Sequence, residues 1–448
     1  MTGSHRAPRG GSRAAAREAR RQQARRRNQL IGAGAAALLL VGGVGIVAVT
    51  AFGGGGSPGD AKSSSSDDRS AGDSNLLGDA KALIDAPTAK TLTTAGAWAI
   101  SSTADGSSAP DRSFVCQPQR FADPAGIRTW VRTFRNATTK DTAVQYVEVS
   151  NDATAAAKTY TTITGWLSQC STPQIRLVTS YTTKGLGDRG IVAVFGQPTG
   201  TQTSKYRTIS VTTAGQATMV LEHDSAGATP PKPDAILNTA GAGLKRICSQ
   251  AGANCSTGAP TATAALLPSK ESPGFMAPID LPVLSTVDKP WVSASTTSST
   301  TKSGTGCEKI DLKKAKATKS KSLTYVTPDA TVPPEFGLDA LVTEFANATS
   351  ANAFVTGTRS NVDGCGKTNS VATVKTTGAL SSGGIKGETW RLAYDTGGGK
   401  IFTYRVGLAS NGTHAVYLVY PVLKNLDISN TAFAEVVTRA AERSAFYK

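Results

Sequence analysis

The chain has 448 residues, is 39% apolar and 18% charged, and carries a net charge of +16. That length suggests about three folding units, and the composition is ordinary for folded protein, which excludes collagenous, wholly disordered and polytopic membrane classes. The charge resembles a nucleic-acid signature until it is mapped, because residues 1–29 hold nine arginines against Glu18 alone and so account for half of it.

From Leu30 to Phe52 run 23 residues without a charge. At about 1.5 Å per residue such a helix spans a hydrocarbon core of about 30 Å, which predicts a transmembrane helix. The arginines flank it on the N-terminal side only, so the positive-inside rule makes residues 1–29 a basic cytoplasmic tail and places everything after Phe52 outside the cell membrane. Beside a membrane these arginines hold topology and touch anionic lipid; no nucleic-acid partner is expected. A cleaved signal peptide is the competing reading, because Val49-Thr50-Ala51 has small residues at a spacing that a signal peptidase accepts. Against it, the apolar stretch exceeds the usual signal core of about 7 to 15 residues. No cysteine follows the stretch to carry a lipid anchor.

Residues 53–74 lack periodicity and nearly all apolar side chains, which predicts a flexible linker. A second shift in composition marks a first domain at 75–256, a linker at 257–269 and a second domain at 270–448. The two domains are an internal repeat. Trp98, Cys116 and Cys170 are answered by Trp291, Cys307 and Cys365, and Ala153-Thr154, Ala156 and Leu167 fall opposite Ala348-Thr349, Ala351 and Val362 without a gap. Farther on, Gly187, Tyr206-Arg207 and Gly215 are answered by Gly387, Tyr404-Arg405 and Gly412.

All six cysteines follow the apolar segment, and an even number in an oxidising compartment reads as disulfides. Fifteen pairings are open to six cysteines, but the repeat favours Cys116 with Cys170 and Cys307 with Cys365, leaving Cys248 with Cys255 as a local clip. No two cysteines stand at zinc-ligand spacing and only His223 and His414 lie beyond the apolar segment, so no metal is expected.

Each domain reads as α+β. Ile127 to Phe134 and Ala143 to Val149 alternate bulky and polar residues around the turn formers Asn136 to Asp141, the pattern of an antiparallel hairpin. Ala153, Ala156, Ala157, Tyr160, Ile163 and Leu167 then recur at helical spacing up to Cys170. Strands follow at Ile191 to Phe195, Tyr206 to Thr212 and Ala217 to Glu222, and Asp234 reads as the N-cap of a last helix. Short connections between the strands predict an antiparallel sheet in each domain.

The string from Val144 to Cys170, the GLGDRG turn at Gly185 and the strand at Tyr206-Arg207 together resemble the PknH-type extracellular sensor domain of actinobacterial membrane kinases and envelope lipoproteins. The resemblance implies, in each of two tandem domains, a twisted antiparallel sheet flanked by helices, held by disulfides, with a cleft for a ligand. Signalling through an attached kinase is not carried over, because the 29-residue tail holds no kinase domain. The second copy also has Asn361 in place of Trp166 and lacks the Cys248-Cys255 clip.

Gly185 to Gly190 fits G-x-G-x-x-G, but a strand follows where a nucleotide site needs a helix. Gly397-Gly398-Gly399-Lys400 has Ile401 where magnesium needs Ser or Thr, and reads as a hairpin turn. No nucleophile elbow accompanies the histidines. The expectation is a non-enzyme without cofactors: an anchored extracytoplasmic, sensor-like binding protein of the cell envelope whose ligand or protein partner is unknown. The alternatives are an envelope structural or interaction module and, behind it, an envelope hydrolase. Arg207 and Arg405, recurring at one place in the repeat, are the candidate ligand-cleft residues; the competing reading pairs them with Asp188 and Glu388.

Overall fold

The structure, a computed structural model, describes residues 77–199, 203–248, 251, 258–294, 297–298, 304–334 and 336–448. Both halves of the repeat fall in one compact unit, Ser74–Val332 with Gly337–Lys448. The stretch from Leu30 to Phe52, expected to cross the membrane, lies outside the described residues, and among those described no helix is long and apolar enough to do so.

In the first half the chain runs β1 (Trp98–Asp105), β2 (Arg128–Asn136), β3 (Thr142–Val149), α1 (Ala153–Ser168), β4 (Arg176–Lys184), β5 (Arg189–Pro198), β6 (Ser204–Ala214), β7 (Ala217–Gly227), α2 (Asp234–Ile247) and β8 (Thr261–Ala264). Its sheet has the order β1-β2-β3-β7-β6-β5-β4-β8, with every neighbouring pair antiparallel. The second half repeats the plan with β9 (Val292–Ser293), β10 (Thr297–Ser298), β11 (Lys319–Val326), β12 (Leu338–Glu344), α3 (Ala348–Asp363), β13 (Ala372–Ser382), β14 (Ile385–Asp395), β15 (Ile401–Asn411), β16 (His414–Val422) and α4 (Asn430–Ser444). Its order is β10-β11-β12-β16-β15-β14-β13, and β9 also pairs with β11. In both halves a hairpin leads through a helix to a four-strand meander whose last strand returns beside the hairpin. The fold is therefore α+β with two antiparallel sheets, as the alternation and short turns predict.

Side chains alternate between sheet faces, so each sheet can carry a helix on both sides. Asp152 caps α1 by accepting from Ala155 N at 2.7 Å, and at the matching place Asn347 caps α3 by accepting from Ser350 N at 2.8 Å. Ile163 and Leu167 of α1 are fully buried with Val131, Tyr146, Ile209, Val211 and Val220 on one face of the first sheet. Each contributes about 1.5–3 kcal/mol by leaving water. On the other face Ile236, Leu244 and Ile247 of α2 bury against Val192, Met219 and Leu221. Asp234 opens α2 within its first turn, one place inside the cap expected of it, and Pro233 is the N-cap.

Two of the expected disulfides are present, Cys116–Cys170 and Cys307–Cys365, each tying the chain ahead of a hairpin to the end of the helix behind it. The third expected pairing involves Cys255, which lies outside the described residues. The GLGDRG segment is the turn between β4 and β5, where Gly187 adopts φ +64° and an added Cβ would lie 2.1 Å from Thr213 O. Gly397, Gly398 and Gly399 all have positive φ and form the turn between β14 and β15. Thr261–Ala264, inside the stretch read as linker, is the strand β8 that completes the first sheet. Polar contacts join the halves: Arg176 of β4 pairs with Glu435 of α4 at 2.6 Å, and Arg439 of α4 donates to Val178 O of β4 at 3.3 Å, while Arg443 donates to Asp280 within the second half at 2.9 Å.

Candidate functional site

β6 and β7 form a hairpin closed by the pair Ala214 and Ala217, and its register sets Arg207 opposite Asp224. Glu222 lies two residues before Asp224, so all three side chains point to the α1 face of the sheet. Above them crosses the chain that leads into Cys116. Gln117 Oε1 accepts from Ser113 N and Phe114 N, which folds that loop back on itself, and the disulfide to Cys170 pins it to the end of α1. Cys116 itself adopts φ +66°. Phe114 packs edge-on against Tyr146 and lies 6.4 Å from the Trp166 ring of α1.

Between loop and hairpin is a cavity of about 360 Å³, open to solvent, lined among others by Arg112, Phe114, Thr172, Arg207, Glu222 and Asp224. Glu222 is only 5% exposed. Its Oε2 accepts from Val115 N at 2.7 Å, and its Oε1 lies 3.7 Å from Arg207 Nη1. Arg207 Nε is 3.8 Å from Asp224 Oδ2, and the Arg207 side chain keeps 34% of its surface exposed. At these separations the guanidinium neutralises charge without being fixed by short hydrogen bonds. Burial pushes the Glu222 carboxyl well up, the neighbouring Asp224 adds to this, and the Val115 amide and Arg207 only partly oppose it. Two buried polar atoms at the cavity, Ser113 Oγ and Asp224 Oδ1, have no hydrogen-bond partner.

His223 points to the opposite face, where its Nε2 lies 3.3 Å from Asp141 Oδ2 and its ring meets Trp98 edge-on. Burial lowers its pKa while Asp141 works against that. His414 is the first residue of β16.

The structure does not bring Arg207 and Arg405 to equivalent places. The second hairpin closes with Asn411 and His414, and in that register Arg405 lies opposite Tyr420. Counted from the turn, the residue matching Arg207 is Tyr404, and those matching Glu222 and Asp224 are Val419 and Pro421. Arg405 is therefore turned to the α4 face, 3% exposed, donating to Asp427 Oδ1 at 2.7 Å and to Asn430 Oδ1 at 2.6 Å. Burial works upward on the Asp427 carboxyl, but Arg405 and Arg391 outweigh it and hold that carboxyl below its usual value. Asp188 and Glu388 are not the partners of the two arginines. Asp188 accepts from Gly215 N at 2.8 Å, and Glu388 pairs with Arg359.

Where the first half has its cavity, the second has aromatic rings. Tyr404 packs edge-on against Tyr394, whose hydroxyl meets Thr305 Oγ1 at 2.6 Å and Cys307 Sγ at 3.1 Å. The loop support survives, since Glu308 holds the place of Gln117 and accepts from Thr305 N and Gly306 N. Among the described residues no group of three or more His, Cys, Asp or Glu is placed to hold a metal ion. The acid pair escaped the sequence analysis, although Glu222 and Asp224 stand at the period-two spacing that puts them on one strand face.

No family model matches the chain, and no curated protein matches it.

Proposed function

We propose that this is a membrane-anchored extracytoplasmic binding protein of the cell envelope, similar in plan to PknH-type sensor domains, whose first half binds a small ligand without transforming it. The observation that carries the reading is the contrast at one topological position. Arg207, Glu222 and Asp224 stand around a cavity in the first half, while Tyr404, Val419 and Pro421 stand there in the second. A side chain as buried as Glu222, with one carboxyl oxygen held by an amide and the other turned toward a loosely held guanidinium, is costly unless something meets it. Binding sites keep such costs because a ligand relieves them. The second half, with the same scaffold and a filled position, then serves as a packed partner.

Thermal unfolding of the full chain with fractions of bacterial envelope extract tests this. A ligand that binds only the folded state stabilises it by RT ln(1 + [L]/Kd), about 2.7 kcal/mol at one hundred times Kd. At least one fraction should stabilise the wild type and leave the double variant Glu222→Gln, Asp224→Asn unchanged. Stabilisation that survives that double substitution, or conversion of a component of the fraction with turnover, contradicts the reading.

A further inference from the structure

We infer that the first-half cavity receives an ammonium group, taken up between the paired carboxyls of Glu222 and Asp224 with the ligand's remainder toward Phe114. This rests on the binding reading above and adds the ligand's chemistry.

Three observations point the same way. Glu222 is nine-tenths buried, and with Oε2 held by Val115 N its Oε1 accepts from no N–H or hydroxyl donor of the described residues. Asp224 Oδ1 and Ser113 Oγ are buried at the same cavity without partners. With both acids ionised the surplus is thus in acceptors, and an ammonium brings three N–H donors in a compact head. Charge agrees with this. Two carboxyls face one guanidinium within 4 Å, so the cavity floor is net acidic once both are ionised. Arg112, from the loop, is the only other charged side chain of the lining, so over the whole lining two arginines balance two ionised acids and the acidic surplus is local to the floor; Thr142 and Val144 from β3 bring no charge. An anion would have to displace Arg207 from its acids, whereas a cation completes their coordination.

The carboxyls' closeness adds a proton to the event. With no cation present, burial and Asp224 favour the protonated form of Glu222. An ammonium favours the ionised form, so binding releases a proton wherever Glu222 is protonated beforehand. The second half, with Val419 and Pro421 at these positions, has no counterpart and serves as an internal control.

The test uses the full chain with methylammonium chloride and with glucosamine, against sodium chloride at equal ionic strength and against glucose as the neutral match. Methylammonium and glucosamine should raise the unfolding temperature and glucose should not. Glu222→Gln combined with Asp224→Asn should abolish the response while urea unfolding shows the fold retained. Titration calorimetry in two buffers of different ionisation heat should report proton release on glucosamine binding. Equal responses to glucose and glucosamine, or stabilisation by acetate in place of methylammonium, overturn the inference. If the amines have no effect while an envelope fraction still acts through Glu222 and Asp224, the ammonium assignment falls and the binding reading stands. If the fraction also fails, both fall.

Discussion

The two halves use one scaffold for opposite ends. Each has the same order of its hairpin and meander strands, to which the first adds the edge strand β8, the same helix capped by a short polar side chain, and the same disulfide from the chain before the hairpin to the end of that helix. They part at a few side chains on one face of the last hairpin. The first half keeps the buried Glu222, the half-buried Asp224 and an arginine around open space, and the second has Tyr394 and Tyr404 there. What differs is what the position contains, and a scaffold held by a disulfide tolerates either content.

The largest effect should come from what the halves share. Each disulfide closes a loop of similar size, with separations of 54 and 58 residues. Removing Cys116–Cys170 or Cys307–Cys365 by double alanine substitution should therefore cost about 4 kcal/mol in either case, measured by urea unfolding. Only the first removal should also abolish ligand-induced stabilisation. Strongly unequal costs would show that the halves are not mechanically equivalent.

The arginines sharpen the contrast. Arg405→Ala leaves Asp427 and Asn430 without their buried partner and should cost about 3 kcal/mol. Arg207→Ala removes only loose, partly exposed contacts and should cost less than about 1 kcal/mol. A further substitution breaks the second half alone. An added Cβ at Gly407 would lie 2.2 Å from Val437 Cγ2, so Gly407→Ser, which copies Ser210 at the matching place, should cost about 2 kcal/mol.

The smallest effect is on pH dependence. Because the folded-state pKa of Glu222 is raised, the folded protein binds the extra proton between the unfolded value and the folded one. Stability should therefore decline as pH rises through that window, and Glu222→Gln should flatten the decline. Asp427 works in the other direction: its contribution is present above the unfolded value of a carboxyl and is lost as pH falls through the depressed folded value. Urea midpoints measured across acid pH for Glu222→Gln and Asp427→Asn against the wild type check the two signs.

Much of this architecture is legible in the sequence, for physical reasons. Ile163 and Leu167 repeat at helical spacing because they face a buried sheet, whereas β3 is buried on both faces and its alternation comes from polar residues, Gln145 and Glu148, that are themselves buried and hydrogen-bonded. β1 was less visible because Ile100 to Thr103 are all exposed at the sheet edge and carry no alternation. β8 hides for a similar reason, as four small residues pairing with β4. The repeated Tyr-Arg misleads in an instructive way. Arg207 stands eight residues before Gly215 and Arg405 seven before Gly412. A difference of one residue in a strand turns a side chain to the other face, so identical dipeptides here serve a cavity in one half and a buried ion pair in the other.

Hydrogen exchange of the full chain, followed by mass spectrometry with and without the stabilising envelope fraction, tests the central claim most directly. The account predicts slowed exchange at Arg112 to Gln117 and at the ends of β6 and β7 around Arg207 and Asp224, with Thr305 to Lys309 and the strands at Tyr394 and Tyr404 unchanged. Protection confined to the second half, or spread equally over both, would contradict it.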